Sequence, residues 1–152
     1  MRKQQWIYEI FAYLLALLFL FTAASKLFDL RHFVREINNQ PFDDRFTPAL
    51  VYGLPAIELI AVALLVWPKM RLKGFYLSAV LMFVFTVYVA LVTFHFYNRV
   101  PCACATAFKH LSWPEHLAMN VVFLTLSITG IILHHKEHHI KIKQPYPIRA
   151  MV

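Results

Sequence analysis

The chain has 152 residues, of which 60% are hydrophobic and only three are glycine, and its mean hydropathy is +0.57. A soluble domain averages roughly 45–50% apolar residues, so this excess, which comes in long blocks, excludes an ordinary water-soluble fold. The formal net charge of +7 does not indicate nucleic acid binding, because the lysines and arginines stand at the ends of the apolar blocks, where a membrane surface accounts for them. We therefore expect a lipid bilayer, and no nucleic acid, as a partner.

Four apolar segments predict an all-α integral membrane protein built as a four-helix transmembrane bundle, since each is close to the roughly 20 residues that cross a bilayer. The predicted spans cover about residues 6–25, 49–67, 74–97 and 114–133. The first run is too long for the core of a signal peptide, so we expect an uncleaved span. Residues 1–140 are then the membrane domain, and residues 141–152 are a basic cytoplasmic tail.

A short amphipathic helix is predicted directly after the first span, at residues 26–37. Apolar residues recur there at helical spacing and charged residues fill the gaps, as is typical of a helix in the membrane interface. The proline-containing stretch 38–48 is predicted to be an exposed turn. From His134 onward the chain is rich in histidine and lysine, and we expect it to fray.

The positive charges predict which side of the membrane each loop faces. The N-terminal tail, the loop between the second and third spans and the C-terminal tail carry two, three and four lysines or arginines, nine in all, against six in the longer loops opposite. By the positive-inside rule, both termini of this multi-pass protein face the cytoplasm. The amphipathic helix and the loop between the third and fourth spans then face the periplasm, which places the chain in a bacterial inner membrane.

Both cysteines of the protein, Cys102 and Cys104, lie in that loop with one alanine between them. A disulfide between them would close a small, strained ring, which is a poor structural staple but a labile, oxidising redox group. The neighbours Arg99, Lys109 and His110 favour the reactive thiolate. The pattern predicts a redox-active pair, and two alternatives stay open: the cysteines are packing residues, or with a nearby histidine they bind Cu(I) or Zn.

Glu58 is the second candidate, an acid within the predicted second span. At about 1.5 Å per residue it lies about 13 Å into the bilayer, where an ionised acid costs roughly 2.5–3.5 kcal/mol. Lys26, Tyr52 or Tyr88 is the expected partner. Glu58 is either a protonated acid that forms a structural hydrogen bond, or part of a proton relay or quinone site that includes Lys26.

Four other polar residues have simpler interpretations. Glu9 lies near the cytoplasmic end of the first span and is expected to reach toward the lipid head groups. Ser112 and Glu115 have the spacing of a capping box at the start of the fourth span. We expect His116 to be solvated at the interface and Asn120 to link helices within the bundle.

Several short motifs stand in a characteristic order along the chain. They are Ser25-Lys26-Leu27 with Phe33, Pro55 with Glu58, Pro101-Cys102-Ala103-Cys104, Ser112-Trp113, His116 and Asn120. In these motifs, over roughly residues 8–133, the chain resembles the DoxX/MauE-like small membrane proteins, the MauE (methylamine utilisation) branch in particular. The family's cysteine motif usually continues into Phe-Gly, whereas Cys104 is followed here by Ala-Thr-Ala-Phe.

The resemblance implies a four-helix membrane protein that supports disulfide formation or maturation of an exported redox protein, often beside a thioredoxin-like partner, and in DoxX relatives a link to quinones. Cys102 and Cys104 would then be the catalytic pair, with His110 beside the thiolate and with Glu58 and Lys26 at a proton relay or quinone site. No resident metal and no cofactor beyond a quinone is expected. The alternative is a non-enzymatic membrane subunit of a larger envelope or transport complex. Whether the chain is an enzyme, and on what substrate, stays open.

Overall fold

The computed structural model of the protein describes residues 3–38, 44–94 and 112–143. The helices in these ranges are α1 (Lys3–Phe28), α2 (Leu30–Asn38), α3 (Thr47–Val66), α4 (Arg71–Thr93) and α5 (Trp113–Lys143), with a 3-10 turn at Asp44–Phe46. No strand occurs among the residues described. Four of these helices, α1, α3, α4 and α5, are long and apolar enough to cross a membrane. The predicted all-α membrane bundle is therefore confirmed.

The core of the bundle lies where the four long helices face one another. α1 packs against α3 and α5, and α4 packs against α3 and α5. The buried apolar side chains at their centre include Ala12, Leu15, Phe19, Ala61, Leu65, Phe75 and Met82. Large apolar side chains also point outward along every span, for example Leu17, Ile60, Phe83 and Ile132. A surface of this kind requires lipid rather than water around it.

The first span is longer than predicted. α1 continues to Phe28 instead of ending at residue 25, so Lys26 belongs to α1 and not to the amphipathic helix. The charge of Lys26 does not end the membrane-spanning helix, because this side chain is buried in the bundle and forms an ion pair.

The last span is also longer, because α5 runs to Lys143. The prediction that the chain frays from His134 is therefore wrong as far as Lys143. Contacts with two other spans support this extension: His135 Nε2 lies 3.0 Å from the Tyr76 hydroxyl, and the rings of His134 and Tyr8 are 5.8 Å apart. The cytoplasmic location predicted for the tail stays a prediction.

α2 is amphipathic, as predicted, and part of its apolar face is covered by protein. Phe33 and Ile37 are buried against Val51 of α3. Asp29 begins the helix, because its carboxylate accepts a hydrogen bond from the backbone N–H of His32 at 3.2 Å. α2 is thus held along the first turns of α3, and its predicted place at the periplasmic surface stays a prediction.

Two glycines allow the closest approaches between helices. A Cβ atom at Gly74 of α4 would lie 2.8 Å from the backbone nitrogen of Leu65 in α3. A Cβ atom at Gly130 of α5 would overlap the buried ring of Phe75. Small residues at such positions let helices in a membrane gain van der Waals contact, so these glycines determine how closely α4 packs against its neighbours.

Substitution of Gly74 by alanine is expected to destabilise the bundle by about 1–3 kcal/mol, because the added methyl group meets the backbone of α3 and must push the helix away. The measurement is the free energy of unfolding in detergent micelles titrated with dodecyl sulfate. Gly53→Ala is the matched control, since no atom lies within 4 Å of a Cβ at that position. Equal stability of the two variants would contradict the prediction.

Candidate functional site

A buried ion pair joins the first two membrane-spanning helices. Lys26 Nζ of α1 lies 2.5 Å from Glu58 Oε1 of α3, and the two residues are only 3% and 1% exposed. Of the three partners that the sequence offered for Glu58, the structure therefore shows Lys26 in contact with it, whereas Tyr52 is 67% exposed. Glu58 stands eleven residues after Thr47, the first residue of α3, which is about 16 Å along the helix. The two charges neutralise each other deep within the bundle.

A cavity of about 30 Å³ lies against this ion pair and is lined by residues of all four spans. Its polar lining residues are Thr22, Lys26, Glu58, His116 and Asn120. Within the described residues, two buried polar atoms of this lining have no hydrogen-bond partner, Glu58 Oε2 and Asn120 Nδ2. One is an acceptor and the other a donor, so each is a group to which water in the cavity can hydrogen-bond.

The size of the cavity limits what it can bind. A volume of 30 Å³ has room for about two or three water molecules, given that one needs roughly 10–15 Å³ on this measure. Pockets for small organic molecules are typically about 300–1,000 Å³. As described, the cavity therefore favours water and a proton over the ring of a quinone.

The first turns of α5 position two residues that line the cavity, His116 and Asn120. The backbone N–H of Ser112 donates to Glu115 Oε2 at 2.8 Å, which is the reach-back contact of the predicted capping box. The backbone N–H of His116 donates to the Ser112 carbonyl at 3.0 Å, so the helix is formed from its first turn. His116 and Asn120, four residues apart, share one helix face and are 5% and 7% exposed. The prediction that His116 is solvated at the interface is wrong.

The predicted redox residues Cys102, Cys104 and His110 lie outside the described residues, as do Arg99 and Lys109. Their roles stay predictions. These residues belong to the stretch that connects the end of α4 to the start of α5. His116 follows about one helical turn after α5 begins. No group of three or more His, Cys, Asp or Glu side chains that could hold a metal ion occurs in the part of the chain described. The metal alternative therefore concerns the undescribed stretch.

A second polar cluster, at the opposite end of the bundle, was not predicted. Arg71, the first residue of α4, is 3% exposed and pairs through Nη1 with Glu9 Oε1 of α1. Its Nε donates to the Leu65 carbonyl at 2.9 Å, and its guanidinium lies 5.8 Å from the ring centroids of Tyr8 and Tyr13. Glu9 is thus engaged within the protein, and the prediction that it reaches toward head groups is wrong. The fixed, planar donors of arginine suit such a junction.

Comparison with known proteins gives one family. The family model described as methylamine utilisation protein MauE matches residues 4–133 of the chain. The matched range includes both cysteines, the Lys26–Glu58 ion pair and the four polar or charged residues of the clusters above, Glu9, Arg71, His116 and Asn120. No similar sequence was found among the curated proteins, and no similar fold among the solved structures.

Proposed function

Because this chain belongs to the methylamine utilisation protein MauE family, we propose that it is a membrane thiol–disulfide redox protein that supports disulfide formation or maturation of an exported partner. The coarser part of this statement follows directly from the family and the four candidate spans: the chain is a multi-pass membrane protein of methylamine utilisation. The finer part concerns the chemistry, the residues and the partner.

The observation that carries the proposal is the position of Cys102 and Cys104 in the chain. They are the only cysteines of the protein, they are separated by one residue, and they precede the helix that brings His116 and Asn120 to the buried cavity. A pair so close together closes a strained ring when oxidised, and strained disulfides accept electrons readily. The pair is therefore suited to passing oxidising equivalents rather than to holding the fold together.

The exchange has two steps on the protein. A thiolate of the reduced partner attacks one sulfur of the Cys102–Cys104 disulfide, which breaks the S–S bond and gives a mixed disulfide. The partner's second thiolate then attacks its own sulfur in the mixed disulfide, so the partner leaves oxidised and the chain keeps two thiols. His110 is proposed to stabilise the thiolate that is released. Two electrons have moved to the chain, and a quinone of the bilayer is the proposed acceptor that reoxidises it.

The buried ion pair is proposed to serve the proton that must accompany these electrons. Glu58 has one oxygen held by Lys26 and a second oxygen without a partner among the described residues. A proton can bind at the second oxygen while the first keeps its contact. The cavity beside it has room for water, which would connect this oxygen with the α5 residues that follow the cysteine stretch.

The decisive experiment is to trap the thiols of Cys102 and Cys104 with a bulky alkylating reagent in intact membranes, with and without reductant. We expect a disulfide that interconverts reversibly with the dithiol when titrated against a redox buffer, at an oxidising potential. The double variant Cys102→Ser/Cys104→Ser is the control and should show no mobility shift. Two thiols that remain reduced and unreactive would overturn the proposal and favour the alternative of a non-enzymatic membrane subunit.

A further inference from the structure

The outer face of α2 carries a groove that the proposed redox function does not use. It is lined by Leu30, Arg31, Val34 and Arg35. Both arginines are exposed, and neither forms an ion pair with a residue in the described ranges. Leu30 and Val34 are half-buried and also pack against the cluster of Phe33, Ile37 and Val51 that joins α2 to α3. The groove therefore runs along the exposed edge of α2, beside the face that α3 covers.

Among the residues that the structure describes, no carboxylate forms an ion pair with either arginine of this groove. Arg31 and Arg35 are four residues apart on one helix, a spacing at which like charges repel. Arg35 Nε donates to the backbone carbonyl of Arg31 at 3.3 Å, which holds the Arg35 side chain against the preceding turn of α2. The nearby carboxylates are engaged elsewhere, because Asp29 caps the helix and Glu36 lies 3.2 Å from His32 Nδ1. An anion bound between the guanidinium groups would relieve the repulsion.

Exposed apolar residues precede the groove in the chain, at the end of the first span. Leu27 is 51% exposed and Phe28 is 91% exposed, at the end of α1 and just before Arg31. An exposed phenylalanine three residues before the first of two exposed arginines matches a ligand that has an anionic head and an apolar tail. A free phosphate or an acidic protein segment would satisfy the arginines but leave Phe28 uncovered.

We propose that the α2 groove binds an anionic glycerophospholipid, with its phosphate at Arg31 and Arg35 and an acyl chain against Leu27 and Phe28. Arg31 and Arg35 are one turn apart on α2, and Leu27 and Phe28 end α1 directly before it, so the proposed lipid extends from one helix to the other. The lipid lies beside the break between α1 and α2 and covers the exposed side chains of Leu27 and Phe28. This assignment is independent of the cysteine chemistry.

The test uses the full chain purified in a neutral detergent with equal amounts of phosphatidylglycerol and phosphatidylcholine, and measures bound lipid by native mass spectrometry. Phosphatidylglycerol is expected to bind preferentially. The variant Arg31→Gln/Arg35→Gln should lower its affinity about 25-fold, about five-fold for each arginine, with phosphatidylcholine binding unchanged. Its melting temperature without added phosphatidylglycerol should equal that of the native chain, which shows that folding is unaffected.

The matched control is Lys69→Gln/Lys73→Gln, which removes two exposed positive charges at the opposite end of the bundle. It should retain the native preference for phosphatidylglycerol. An unchanged affinity in the arginine variant, or an equal loss in the lysine control, would overturn the assignment. Displacement of the lipid by inorganic phosphate alone would also overturn it, because the site would then recognise a free anion.

Discussion

Replacement of Lys26 by methionine is expected to destabilise the folded bundle by about 3–5 kcal/mol, because Glu58 would remain buried without its partner. Both side chains are at most 4% exposed, and the few water molecules for which the adjoining cavity has room carry no charge to replace that of the missing ammonium group. The measurement is the free energy of unfolding in mixed micelles titrated with dodecyl sulfate. The expected loss is a large part of the total stability of a domain of this size.

Two further variants separate the cost of an unpaired charge from the loss of packing. Lys69→Met removes an exposed lysine and should change the free energy of unfolding by no more than about 0.5 kcal/mol. The double variant Lys26→Met/Glu58→Leu should recover most of the loss, because a buried ion pair can be replaced by apolar residues at little net cost. A double variant as unstable as Lys26→Met alone would show that Glu58 is not the source of the instability.

Serine in place of either Cys102 or Cys104 is expected to abolish oxidation of the partner, because one sulfur cannot complete the two-step exchange. The two single variants should differ in a second measurement. When the oxidised partner is added, the remaining thiolate attacks the partner's disulfide and breaks its S–S bond. The variant that keeps the cysteine at which the exchange occurs should accumulate this mixed disulfide, because no second cysteine is present to release it. The adduct is seen on a denaturing gel without reductant. The other single variant should accumulate no mixed disulfide.

The double serine variant is the control for this trapping experiment and should form no adduct at all. Its yield in the membrane should match that of the native chain, since a disulfide between residues this close removes little chain entropy. Full partner oxidation by either single variant would disprove the redox role. In that case the two cysteines are packing residues, or ligands for a metal ion.

The spans could be predicted from the sequence because the bilayer imposes a length and an apolar composition on each helix. The pairing of Lys26 with Glu58 was also predictable, since few charged residues stand within the apolar blocks and a buried acid requires a partner. The ends of the helices were not. α1 passes through Lys26 and α5 passes through His134, because each residue has a partner on another span that no local pattern reveals.

The contact between Glu9 and Arg71 could not be predicted for a different reason. Arg71 lies in a short basic loop, and the positive-inside rule already accounts for a positive charge there. Glu9 likewise lies near a helix end, where an acid can reach water. Each residue therefore had a sufficient explanation by itself, and only the packing of α1 against the start of α4 brings them together. The redox role of the two cysteines, by contrast, stays a prediction from their spacing, their charged neighbours and the family resemblance.

The two ion pairs between spans in the described part of the chain also specify the direction in which α1 must run. α1 carries an acid near its start, Glu9, and a base near its end, Lys26, while the facing groups have the opposite order, Arg71 and Glu58. If α1 were inserted upside down, acid would face acid at one level and base would face base at the other. Both contacts would become repulsive at once in a medium of low dielectric constant. The positions of these four charges therefore favour a single orientation of the first helix.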